Sequence, residues 1–226
     1  MDRPELIEQT LLLDLETTRA GKIRQIGAVL NGEIFEEVKH PRARRTLEAL
    51  DRFAESATYV LGHNLLGHDF PVLNASVPWL GLLKKPVIDT LYLSPLAFPQ
   101  NPYHRLVKDY KLVKTAINSP VADAKLAASV FADQWQSFTT LAERNPVILD
   151  FYRFCFQDSV FNGFSGMGQA AVFLNLTKAV IAGPQEALDC FVALTAGKVC
   201  DHVARQVLPD YLADSVKRPA AAYCLA

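Results

Sequence analysis

Cysteine is scarce in this chain: there are four among 226 residues, at 155, 190, 200 and 224, and no C-x-x-C pair. A disulfide framework and a paired-cysteine motif are therefore absent, and free thiols in a reducing compartment are the expectation. A strong charge of either sign is also missing. With 23 basic and 24 acidic side chains the formal net charge is −1, so nothing global announces a polyanionic partner, although local patches still can. Long apolar runs are missing too. The most apolar late stretch, "AAVFLNLTKAVIAG", is interrupted by Asn175, Thr177 and Lys178 and is too short to span a bilayer. The opening "MDRPELIEQT" is polar and acidic and carries no apolar segment of the secretory type. A cytoplasmic protein with no membrane partner is the expectation. "NGFSGMGQAA" has three glycines but no Gly-Lys-Ser/Thr, which excludes a P-loop and leaves a flexible turn before a helix.

What is present is an ordinary globular composition, half apolar and about a fifth charged, enough for a sizeable core. Residues 1–138 alternate between strand-like and helix-like patterns. "QTLLLDLE" and "KIRQIGAVLN" predict strands, and Asn31-Gly32 predicts a hairpin into "EIFEEVKH". "RTLEALDRFAES" predicts a helix through Leu47, Leu50 and Phe53, and "ATYVLGHN" and "PVIDTLYL" predict two more extended segments. "YHRLVKDYKLV" reads as helical. Ser119 and Pro120 make an N-cap and first-turn pair for the helix "PVADAKLAASVFADQWQSF", with Leu126, Val130, Phe131, Trp135 and Phe138 as its apolar face. Hairpin strands followed by alternating strands and helices make an α/β plan with a mixed sheet flanked by helices. From Thr139 the pattern becomes helical throughout, so 139–226 is expected to be an α-helical extension. It ends in the apolar "RPAAAYCLA" without cap or polar tail, as a piece of a longer polypeptide would.

Carboxylates stand where this plan ends its strands. In "LLLDLETT", side chains alternate between faces, so Asp14 and Glu16 point the same way at a strand end. "VLGHNLLGHDFPVL" leads a second apolar strand through His63 and Asn64 to Asp69, and "NSPVADAKLAASVF" places Asp123 in the first turn of a helix. Each alone has a bland reading: a solvated strand end, a helix cap, or an acid favoured by the helix dipole. Together Asp14, Glu16, Asp69 and Asp123 form an oxygen ligand set suited to Mg²⁺ or Mn²⁺, because like charges brought together need a cation. Two such ions about 4 Å apart can hold the attacking water and the leaving oxygen of a phosphodiester.

The order Asp-x-Glu, His-Asn-x-x-x-x-Asp and an Asp opening a late helix resembles the DEDD 3′-to-5′ exonucleases of the ribonuclease-H-like fold. "DLETT", "GHNLLGHDFPVL", "VIDTLYLSPLAFP" and "DAKLAASVF" carry the resemblance over roughly residues 8–138. It implies an exonuclease domain over 1–138 and two divalent cations on Asp14, Glu16, Asp69 and Asp123; Asp89 reads as an orienting or structural residue, not a ligand. It also implies that Leu15, Thr17 and Thr18 lie beside the terminal nucleotide, with His63 and Asn64 nearby. In the commonest branch of the family a histidine five residues before the last aspartate is the general base; here that position is Asn118. Another branch has a tyrosine four residues before, where this chain has Ser119. Neither residue can take a proton from water near neutral pH. Three readings stay open: the metal pair alone makes enough hydroxide, another histidine (His104, His63 or His68) substitutes, or the module is catalytically weak or inactive.

Two basic clusters, "KHPRARR" at 39–45 and Arg105, Lys108, Lys111 and Lys114, suit phosphate contacts along a strand entering the site, or are simply solvated surface. "YHRLVKDYKLVKTAINSPVADAKLA" and the helical tail are similar to exonuclease modules fused to RecQ-like helicases. The resemblance implies DNA 3′ ends or single-stranded DNA as partner, RNA as an alternative, a linked helicase or other domain, and a DNA repair or defence context.

Overall fold

The computed structural model describes residues 3–101, 119–174, 176–177 and 179–226. The segment holding His104, Arg105, Lys108, Lys111, Lys114 and Asn118 lies outside the described residues, so the expectations placed on it find no structural counterpart here.

After a short helix α1 (Arg3–Glu8), strand β1 (Thr10–Thr17) opens an α/β fold. Its leucines serve two cores. Leu11, Leu13 and Leu15 are buried on one face of the sheet, while Leu12 is buried on the other, the face that Asp14 and Glu16 share by alternation. β2 (Ile23–Leu30) pairs antiparallel with β1, and β3 (Glu33–Glu37) pairs antiparallel with β2. Between them Asn31 and Gly32 both take positive φ (51° and 82°), the two-residue turn whose twist matches that of the flanking strands. Helix α2 (Arg44–Phe53) crosses back to β4 (Tyr59–Gly62), which lies parallel to β1. A single π-helical turn (Leu65–Asp69), helix α3 (Phe70–Ser76) and a 3₁₀ turn (Gly81–Lys84) then lead to β5 (Val87–Asp89), parallel to β4. Among the described residues the main sheet therefore has five strands in the order β3-β2-β1-β4-β5, part antiparallel and part parallel.

α2 and α3 cover one face through Leu47, Leu50, Phe70 and Leu73. The other face receives α4 (Thr90–Ala97) and α5 (Pro120–Arg144). The extended segment expected through "PVIDTLYL" stops at Asp89. The Asp89 carboxylate accepts the Leu91 amide at 3.0 Å and so caps α4, which starts at once. α5 starts where expected, with Ser119 Oγ accepting the Ala122 amide at 3.4 Å, and runs on to Arg144. Its buried face passes through Val121, Ala124, Ala127, Phe131 and Phe138, leaving Leu126, Val130 and Trp135 half-buried at the margin. Small residues at 124 and 127 let the helix close on the strands.

The expected boundary between 138 and 139 falls inside α5. The helices beyond it are α6 (Pro146–Phe156), α7 (Met167–Phe173), α8 (Pro184–Leu194), α9 (Asp201–Ala213) and α10 (Pro219–Tyr223). Their Phe151, Phe173 and Phe191 belong to the same apolar core as Leu12, Val29 and Leu61 of the sheet. The helical part thus completes one face of the sheet instead of standing beside it. A small hairpin, β6 (Val160–Phe161) and β7 (Phe164–Ser165), precedes α7 and turns at Asn162-Gly163, again with positive φ at both residues. No helix among the described residues is long and apolar enough to cross a membrane.

Candidate metal centre

Asp14 and Glu16 stand on the α5 face at the end of β1, and Asp123 lies one turn into α5. One carboxylate oxygen from each lies within 4.8 Å of the other two, and all three side chains are half-buried. What brings α5 so close is Gly27. It pairs with Asp14 across the β1–β2 ladder, and a Cβ placed on it would overlap the backbone of Pro120 and Val121 and stand 2.8 Å from the Pro120 Cβ. A glycine inside a strand marks this kind of close backbone approach, and it was the sequence signal available for this contact.

Asp69, the fourth expected ligand, is placed differently. Its side chain is 2 % exposed and lies outside the three-carboxylate group. The π-helical turn carries it beneath the end of β1, where its Oδ1 accepts the Leu15 amide at 2.8 Å. Burial first, and then the Asp14 charge, hold its carboxyl well above the usual aspartate range. Beside it the three grouped carboxylates, with one oxygen each within 4.8 Å of the others, concentrate negative charge. Oxygen donors crowded in this way fit a hard divalent cation such as Mg²⁺ or Mn²⁺.

Asp89 is fully buried and fixes the segment leading to Asp69. Its Oδ1 accepts the Asn64 amide at 2.8 Å and its Oδ2 the Leu66 amide at 2.9 Å. Burial pushes its carboxyl up to about 6 against the opposing pull of these amides. Asn64 itself takes the left-handed conformation (φ 66°) that opens the π-helical turn. Two residues of the C-terminal part, which sequence reasoning missed, hold the same segment from outside. Asn162 Nδ2 donates to the Leu66 carbonyl at 3.0 Å, and Gln169 Oε1 accepts the Asp89 amide at 2.9 Å. Phe164 adds an edge-on contact with Phe70 at 5.4 Å. The only sequence hint was the Asn-Gly pair at 162–163, which marks a hairpin but not its target.

The histidines are split between roles. The Thr90 hydroxyl donates to the Gly62 carbonyl at 3.2 Å, so in its 2.9 Å contact with His63 it must accept from Nδ1–H. Burial lowers the His63 ring to a pKa of about 4, which makes it a weak base. His68 Nε2 lies 3.2 Å from Thr17 Oγ1. Of the residues expected beside a terminal nucleotide, Leu15 is buried, Thr17 half-buried and Thr18 exposed. The Leu15 side chain is buried in the core and its amide is taken by Asp69. Thr18 turns the chain, its Oγ1 accepting the Lys22 amide at 3.2 Å and its carbonyl the Gly21 amide at 2.9 Å. Ser119, at the position of the second branch's tyrosine, is occupied as the cap of α5 and also donates to Glu36 at 3.4 Å.

The chain matches no protein-family model, and searches of curated proteins and of solved structures likewise return no match.

Proposed function

We propose that this chain is a metal-dependent 3′-to-5′ exonuclease of the ribonuclease-H-like class, acting on the 3′ ends of single-stranded DNA. The observation that carries the reading is the meeting of Asp14, Glu16 and Asp123, from the first strand and a distant helix, with buried Asp69 behind them. The strand order, with a hairpin pair and two parallel strands around β1, supports the same class.

Asp14, Glu16 and Asp123 would hold the cations, with Asp69 available from beneath. Bound there, a pair of divalent ions would supply an activated water and a stabilising charge for the leaving 3′ oxygen. The other residues position. Asp69 fixes the end of β1 through the Leu15 amide, Asp89 clamps the segment from Asn64 to Leu66, and His68 orients Thr17. A second reading, a nucleic-acid-binding module with little or no catalysis, is favoured by one observation: His63 has lost most of its basicity to burial.

The test is incubation with 5′-labelled single-stranded DNA or RNA in Mn²⁺, Mg²⁺ or EDTA. Stepwise shortening of DNA from its 3′ end, present with either metal and absent in EDTA, is expected. Shortening of RNA alone would move the activity to an exoribonuclease. Binding without shortening of either polymer would favour the second reading, and neither binding nor shortening would overturn both.

A further inference from the structure

We infer that Trp79, with Arg44 stacked on it and the cationic segment 39–45 beside it, is a stacking platform for single-stranded nucleic acid. Trp79 is 56 % exposed, a large aromatic surface for a soluble fold to leave in water. It is nevertheless held firmly. Val77 and Leu80 on either side are buried, and the Leu80 amide closes a turn on the Val77 carbonyl at 3.4 Å with Pro78 and Trp79 at its centre. Such a turn, with proline setting φ at its first central position, projects the next side chain outward. The Arg44 guanidinium lies over the indole, 5.1 Å from the ring centre, so one face is capped by a cation while more than half of the side chain stays accessible. A ring ordered in this way can receive a base by stacking at little entropic cost.

The surroundings specify a polyanion. Arg44 pairs with Glu48 at 2.7 Å but keeps 73 % of its side chain in solvent. Lys39, Arg42 and Arg45 are exposed and form no ion pair among the described residues. Two acids near the platform are engaged by backbone amides: Glu37 accepts from Lys39 and His40 at 2.7 and 3.0 Å, and Asp51 accepts from Gly81 and Leu82 at 3.0 and 2.7 Å. Apart from Arg44, which pairs with Glu48, the basic side chains at 39, 42 and 45 therefore face solvent without an ion pair among the described residues.

The segment leaves the sheet in the strand row that holds Leu15. β3 ends at Glu37, which pairs with Ile26, which pairs with Leu15 between Asp14 and Glu16. The row crosses two strand spacings, roughly 10 Å. The contact from Ser119 to Glu36 places the start of α5 at the same end of the sheet. A flexible strand offers free base faces to the indole, whereas a paired duplex does not. The inference deepens the proposed activity and rests on it for the identity of the polymer.

The experiment is fluorescence titration of the full chain with oligothymidylate in EDTA, where no cutting occurs. Trp135, the only other tryptophan, packs half-buried on Phe131 at 6.0 Å and serves as an internal reference. Saturable quenching is expected in the wild type, lost in Trp79→Leu and weakened about 5- to 100-fold in Trp79→Ala by anisotropy of labelled DNA, as removal of one stacked base implies. Arg42→Gln and Arg45→Gln should each lower the salt slope of binding by about one. Unchanged affinity in both Trp79 variants would overturn the platform, as would equal quenching by a base-free polyphosphate. Loss of DNA binding in Trp79→Leu with unchanged melting temperature supports it. Failure of the platform with metal-dependent shortening intact would leave the exonuclease reading standing; intact Trp79-dependent binding with no shortening in Mn²⁺ would leave the platform standing alone.

Discussion

Replacing Gly27 by alanine tests whether the acidic cluster is assembled by the approach of α5 to β2. The added methyl would overlap the Pro120 carbonyl carbon and the Val121 nitrogen, both backbone atoms that cannot rotate away. Reaching an ordinary contact of about 3.5 Å requires the start of α5 to retreat by about 1 Å. Overpacking of this kind costs about 1–3 kcal/mol, so a fall in melting temperature of roughly 2–12 °C is expected by circular dichroism in EDTA. Asp123 lies three residues beyond Pro120 on the same rigid helix and must move with it. A misplacement of about 1 Å typically costs on the order of 10²-fold in rate, so Mn²⁺ affinity by calorimetry and the rate of DNA shortening should both fall. Phe191→Leu, in the same apolar core but far from the acids in sequence, supplies a variant whose melting temperature falls without displacing Asp123. If Gly27→Ala binds Mn²⁺ as tightly as the wild type while its melting temperature falls, Asp123 is not delivered by this contact. If neither quantity changes, the close approach itself is refuted.

Asp14→Asn should abolish metal-dependent shortening while leaving urea stability in EDTA equal or slightly higher, because it removes the charge that helps to raise Asp69; an undiminished rate would place the activity elsewhere. Asn118→His should raise the Mg²⁺-dependent rate near neutral pH and add a limb to the pH profile near the histidine value of roughly 6.5; an unchanged profile, with activity lost in His104→Ala, would move the base to His104. His63 has a folded pKa below its unfolded value, so its contribution to stability is present above about 6.5 and lost as pH falls toward about 4. Urea midpoints measured in EDTA between pH 7 and pH 4.5 should therefore fall in the wild type relative to His63→Gln, and parallel curves would show that the ring is not buried neutral.

Local chemistry made much of this molecule readable in advance. The leucine run fixes β1, because only alternation across a sheet buries Leu11, Leu13 and Leu15 against one core while leaving Asp14 and Glu16 on one side. Asn31-Gly32 fixes the hairpin because both residues tolerate positive φ, and Ser119-Pro120 fixes the start of α5 by capping. From these, the pairing of Asp14 and Glu16 and the candidacy of Asp69 and Asp123 were legible. The sequence could not show that Asp69 is withdrawn beneath Leu15 while Asp123 joins the strand-end pair, because this depends on a π-helical turn and on how closely α5 approaches Gly27. Nor could it show that Asn162 braces the segment before Asp69 while Gln169 holds the Asp89 amide, or that Trp79 stays exposed beneath Arg44. Those contacts join residues far apart in the chain, and local propensity carries no information about which distant surfaces meet. Period and capping are decided within a few residues, whereas the ledge of carboxylates and its supports exist only once the two faces of the sheet have been covered.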